Sequence, residues 1–119
     1  MRFPGELFYI LAPDGKTPIA TQDILLVARQ RMEPEKWIVA KSRSQDGEVT
    51  VSTVFLGLDH NHWGEGAPVL FETIVFGGKF DERMDRYCTW DEAERGHKIM
   101  CGRVGIAWSN HEDKGSMTA

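Results

Sequence analysis

Thiol chemistry is scarce in this 119-residue chain: Cys88 and Cys101 are its two cysteines, and no CxxC or zinc-finger spacing joins them. A disulfide scaffold is thereby excluded, and two reduced thiols are expected. No stretch of about 18 apolar residues occurs, so a spanning helix is not expected. The start "MRFPGELFYILAPDG" is broken by Pro4, Gly5 and Glu6, which also argues against a signal peptide. Basic excess is missing as well. The net charge is −4, and no basic stripe of the kind that grips nucleic acid is present. Also absent are a phosphate-cradling GxxxxGK[ST], a nucleophile elbow, internal repeats and low-complexity segments. What remains is a chain of one domain's size, 41% hydrophobic, able to bury one modest core.

The charge is unevenly spread. Residues 1–45 carry seven Lys/Arg against five Asp/Glu, a net +2, and residues 46–119 carry seven against thirteen, a net −6. Many of the acids crowd into "DERMDRYCTWDEAE". That is a solvated acidic face, or one that suits a basic partner.

"GELFYILA" has the β-branched and aromatic character of a strand, and Pro13, Asp14 and Gly15 mark the turn that ends it. "TQDILLVARQRME" places Ile24, Leu25, Ala28 and Met32 at helical spacing, with Asp23 or Thr21 able to cap and Pro34 to stop the helix. "KWIVAKSR" and "VTVSTVFLGL" read as a hairpin around Asp46-Gly47. "VLFETIVFGG" and "MDRYCTW" read as two more strands. Thr89-Trp-Asp-Glu92 matches a capping box, so a second helix should start at Trp90, burying Trp90, Ala93, Met100 or Cys101, and Val104. The order predicts an α+β fold: an antiparallel sheet of four to five strands with two helices packed on one face. Residues 1–107 form the single domain, and 108–119 a polar C-terminal tail.

The ten residues Asp59–Pro68 exceed the usual two-to-five-residue hairpin loop and call for a reason. Asp59, His60, Asn61, Trp63 and Glu65, with Glu72 in the following strand, are the candidate ligand- or partner-binding residues. His60 and His62, at i and i+2, could supply nitrogen ligands to a divalent ion with Asp59 or Glu72, but no recognised motif accompanies them and no metal or cofactor is assigned. If Leu58 pairs with Val69, Phe55 faces Glu72, and Glu72 lies roughly 13 Å from Asp59. A one-residue slip would turn Glu72 to the other face, and alternation favours its facing solvent. Trp63 could stack on a flat ligand, fill a partner's pocket, or cover its own core. His97 falls on the buried stripe of the second helix beside Gly96, where a hydrogen-bonded core histidine is the expectation rather than a base. Cys88, Ser52 and Tyr87 carry nucleophile chemistry without any signature around them, and no catalytic residue is assigned.

"VSTVFLGLDHN…GEGAPVLFETIVFGG", followed by "RYCTWDEAERGH", resembles a family of small proteins encoded by bacteriophages and bacterial prophages, over residues 21 to about 104. The family carries no assigned reaction or site residues. His62-Trp63 and the polar tail depart from its pattern, which counts against His62 as a ligand. The resemblance implies an accessory product in the bacterial cytoplasm that manages the host, including its defence systems, by binding and blocking a host protein or sequestering a small charged ligand. Two alternatives stand beside that expectation. One is a metal-dependent phosphoester hydrolase, with Asp59, His60 and Glu72 as ligands and His97 as base. The other is a virion or assembly component acting as a homo-oligomer through an edge strand such as "ELFYILA".

Overall fold

A computed structural model describes residues 8–61, 66–106 and 111–113. The architecture is α+β. The elements run β1 (Tyr9–Leu11), β2 (Pro18–Ala20), α1 (Ile24–Arg31), α2 (Pro34–Trp37), β3 (Ile38–Arg43), β4 (Thr50–Phe55), β5 (Phe71–Phe76), β6 (Met84–Tyr87), α3 (Trp90–Val104) and β7 (His111–Asp113). The antiparallel main sheet has the order β6-β5-β4-β3-β7, and β1-β2 form a separate hairpin. The strand β2 was not foreseen. Nor was β7: the stretch expected as a tail places His111–Asp113 against Ser42–Ala40 of β3.

Local chemistry explains the boundaries. Asp14 closes the β1-β2 turn by accepting from Lys16 N and Thr17 N, both at 2.8 Å, and from the Thr17 hydroxyl at 2.6 Å. Asp23, not Thr21, caps α1, accepting from Leu25 N and Leu26 N. The capping box of α3 forms as expected, Thr89 accepting from Glu92 N while Glu92 accepts from Thr89 N. At its other end Gly105 takes φ +79°, the left-handed conformation that closes a helix cheaply only as glycine. Gly77 is equally constrained, since a Cβ there would lie 2.0 Å from Glu48 O.

The expected register is off by one residue. Phe55 pairs with Phe71 and Val54 with Glu72, because Gly57, at φ +75°, turns the chain out of β4. Leu58 then bridges to Phe8 instead of Val69. With that register Val51, Thr53, Phe55, Phe71, Thr73 and Val75 share the face covered by α3, and all are buried. Among the described residues α3 packs along β3, β4, β5 and β6. The expectation of two helices on one face is corrected by α1, which buries no residue and lies against β1 and α2.

The core has two apolar halves. One gathers Val39, Phe55, Leu70, Phe71, Trp90 and Ala93 with Leu11 of β1. In it Phe55 and Phe71 rings sit 5.4 Å apart and Trp90 meets Phe71 edge-on at 6.1 Å, pairings worth about 0.5–1.5 kcal/mol each beyond burial. The other half gathers Val51, Val75, Met100, Cys101 and Ile106. Between the two lies a polar layer.

Candidate functional site

That polar layer is a row of hydrogen-bonded side chains running from a half-buried tyrosine into the core. The Tyr87 hydroxyl donates to Thr73 Oγ1 (3.2 Å), Thr73 and Thr53 hydroxyls meet at 2.5 Å, Thr53 Oγ1 lies 2.7 Å from His97 Nδ1, and His97 Nε2 lies 2.8 Å from Ser42 Oγ. Register builds the row. Thr53 and Thr73 are directly paired across β4 and β5, and His97 sits on α3 between Ala93 and Met100, above them. Gly96 lets the helix come this close, for a Cβ there would lie 2.2 Å from the Tyr87 ring and hydroxyl. Each hydroxyl has one proton, so a head-to-tail order from Tyr87 through Thr73 and Thr53 to Nδ1, with Nε2–H donating to Ser42, gives every hydroxyl of the row a partner. Burial raises the Tyr87 and Cys101 pKa values from their ordinary positions. His97 is 0% exposed and Ser42 1%, so the Ser–His pair has no access for a substrate. The expectation of a hydrogen-bonded core histidine holds.

The loop residues are used on the loop itself. Asp59, buried, accepts through Oδ1 from Asn61 N (2.8 Å) and Val69 N (2.9 Å). Asn61 Nδ2 donates to Ala67 O at 3.1 Å, His60 Nδ1 lies 2.8 Å from Leu58 O, and His60 N donates to Val69 O. Asp59, His60 and Asn61 thus clamp the two ends of a long loop, which is the reason its length required. Trp63 and Glu65, like His62, lie outside the described residues.

Glu72 stands on the sheet face away from α3, the face favoured by alternation, yet it is buried there and pairs with Arg86 Nε at 2.9 Å, directly across from it on β6. His97 lies on the other face, under α3. The hydrolase arrangement of Asp59, His60, Glu72 and His97 is therefore corrected: sheet pleating keeps Glu72 and His97 on opposite sides, and Glu72 already has its cation. Among the described residues, no group of three His, Cys, Asp or Glu side chains is placed to hold a metal ion.

A different feature, which the periodicity misread, lies on α1. Gln30 turns inward, its amide oxygen accepting from Leu11 N at 3.0 Å. Arg31, itself exposed, bends back along the surface to donate to Leu56 O and stacks 4.6 Å from the Trp37 ring centroid. The apolar side chains face solvent instead: Leu25 is 73% exposed, Ile24 60% and the adjoining Met32 82%. Ile19 of β2 and Leu26 are exposed too. Helical spacing located these residues but could not say which side of the helix meets the protein. No helix among the described residues is long and apolar enough to cross a membrane.

Comparison of the chain with protein-family models, with curated proteins and with solved structures finds no match.

Proposed function

We propose that this chain is a non-catalytic binding protein of the phage-accessory kind, acting on a bacterial host protein, with the apolar side of α1 as its contact surface. The inverted helix carries the reading. Leu25, Ile24 and Met32 face solvent while the part-buried Gln30 is turned toward β1, and a helix that exposes aliphatic side chains in this way gains by covering them with a partner. The buried Ser42–His97 pair and the Glu72–Arg86 pair serve the fold, which leaves surface recognition as the activity the geometry favours. The α1 surface takes the role first expected of the Asp59–Pro68 loop.

The test compares the full chain with the Ile24→Glu/Leu25→Glu variant. Both residues are exposed, so the variant should melt with the parent. Each is immobilised, challenged with bacterial lysate, and any retained protein is identified and its stoichiometry measured with purified components. Stoichiometric retention by the parent and loss by the variant supports the reading. Equal retention by both, or none by either, overturns it. A retained species that is the chain itself would move the reading to an assembly component.

A further inference from the structure

The row from Tyr87 to His97 can satisfy its hydrogen bonds in two directions, because each hydroxyl donates one proton and also accepts, and an imidazole nitrogen does either. In the inward order Tyr87 donates to Thr73 Oγ1 at 3.2 Å, Thr73 to Thr53 at 2.5 Å and Thr53 to His97 Nδ1 at 2.7 Å, with the imidazole neutral. The same spacings serve the outward order, in which Nδ1–H donates to Thr53, Thr53 to Thr73, Thr73 to Tyr87, and Tyr87 to solvent. The outward order admits the imidazolium, since Nδ1–H then meets Thr53 while Nε2–H meets Ser42 at 2.8 Å.

Solvent reaches the row at its tyrosine end. Thr53, Thr73 and His97 are 0% exposed, whereas Tyr87 is half-buried and, with Gly96, floors a groove of about 420 Å³ between β6 and α3. A proton passing from groove water to the Tyr87 oxygen sends the phenol proton to Thr73, the Thr73 proton to Thr53 and the Thr53 proton to Nδ1. Every oxygen ends with the one proton it began with, His97 has gained one, and the row points outward. The titratable and charged groups around His97 are Glu94 and Cys101, one helical turn away on α3, Tyr87 and Asp85 on β6, and His111 on β7, in register with Ser42. Asp85 is engaged by Arg103 at 3.5 Å. The strands β3, β4 and β5 present the neutral hydroxyls of Ser42, Thr53 and Thr73. We propose that the row is a pH-sensitive relay: protonation of His97 turns the Tyr87 hydroxyl from an acceptor facing the groove into a donor facing it. The α1 surface takes no part, so the relay and the binding reading stand or fall separately.

The experiment follows the His97 ring nitrogens and the Tyr87 Cζ carbon by NMR through an acid titration of the full chain. Expected in the parent are the Nε2–H tautomer at neutral pH and, on acidification, one midpoint shared by His97 and Tyr87 Cζ although two threonines separate them. Tyr87→Phe and Thr73→Val preserve the inward order below the change but leave a buried hydroxyl proton without an acceptor in the outward one. His97 should therefore bind its proton at least about fivefold more weakly in both, and in Thr73→Val the Tyr87 step should vanish. Thr73→Ser keeps the hydroxyl and should restore both signals whatever it costs in stability, a recovery that a purely packing role would not give. Tyr87→Phe alters a half-buried residue, so it decides the matter if Thr73→Val fails to fold. The relay is overturned by an Nδ1–H tautomer at neutral pH, by separate midpoints for His97 and Tyr87, by no protonation of His97 before acid unfolding, or by a midpoint indifferent to Tyr87→Phe.

Discussion

Replacing Thr53 by valine should cost this protein far more than the loss of one oxygen suggests. The side chain keeps its shape, but its hydroxyl sits between Thr73 Oγ1 at 2.5 Å and His97 Nδ1 at 2.7 Å, all three residues being 0% exposed. Both neighbours lose a partner where water cannot replace it, at about 1–3 kcal/mol each, less a small gain from the new methyl. The expected loss is about 2–4 kcal/mol, a large part of the roughly 5–15 kcal/mol that holds a domain together. Urea unfolding followed by far-ultraviolet circular dichroism measures it, with an unchanged denaturant slope as the sign that the unfolded state is unaltered. The companion variant Ser42→Ala/Thr53→Val/Thr73→Val/Tyr87→Phe/His97→Leu removes the polar atoms of the row together. Because none of them is then left facing a missing partner, it should recover to within about 1–2 kcal/mol of the parent. A Thr53→Val protein within about 0.5 kcal/mol of the parent would refute the reasoning. So would a companion less stable than the single variant, since packing rather than polarity would then govern the layer.

Gly96→Ala should destabilise by about 1–3 kcal/mol although alanine is the better helix former, because its Cβ would displace the Tyr87 ring; a stabilised variant in the same urea assay would contradict the contact. Burial raises the Cys101 thiol and the Tyr87 phenol above their ordinary pKa values of 9.0 and 10.0. Folding therefore favours their protonated forms, so that this stability is present below those values and is lost as pH rises through the folded ones. Melting temperature should fall above about pH 9, and less steeply in Cys101→Ala/Tyr87→Phe; parallel curves would refute the assignment. A thiol reagent at neutral pH should modify Cys88 first and Cys101 only on unfolding, as their half-buried and buried positions require. Asp14, held to about 2 chiefly by the Thr17 hydroxyl, should titrate there in a carboxyl-carbon NMR experiment, its contribution to the β1-β2 turn lost only as pH falls through that value; a midpoint near 3.8 would dissolve the turn's hydrogen bonds.

The elements were legible in the sequence wherever local chemistry decides them. Thr89 and Glu92 signalled the start of α3, Asp46-Gly47 the β3-β4 turn, and the apolar stripe from Trp90 to Cys101 its buried side. Each depends on residues a few positions apart, and the chain carries that information whatever it packs against. The strands β2 and β7 were not legible, being three residues long and paired through backbone atoms that any side chain leaves available. The Asp59–Asn61 cluster stood out in the sequence by its residue types, whereas its place in the loop did not. Its residue types suit a ligand as well as they suit the loop backbone, and only the fold shows Asp59 spent on Asn61 N and Val69 N.

What the sequence by itself determined is therefore the longer elements α1, β3 to β6 and α3, the α+β class and the buried stripe of α3, because helical and strand periods and caps are properties of neighbouring residues. Tertiary structure alone decided the register that pairs Val54 with Glu72, the row from Tyr87 to Ser42, and the outward turn of Ile24, Leu25 and Met32. Register depends on a glycine turn at Gly57 and a pairing across the chain. The row joins residues up to 55 positions apart. The orientation of α1 follows from Gln30 and Arg31 finding partners on β1 and at the end of β4, a choice made between distant segments and written in no single stretch of either.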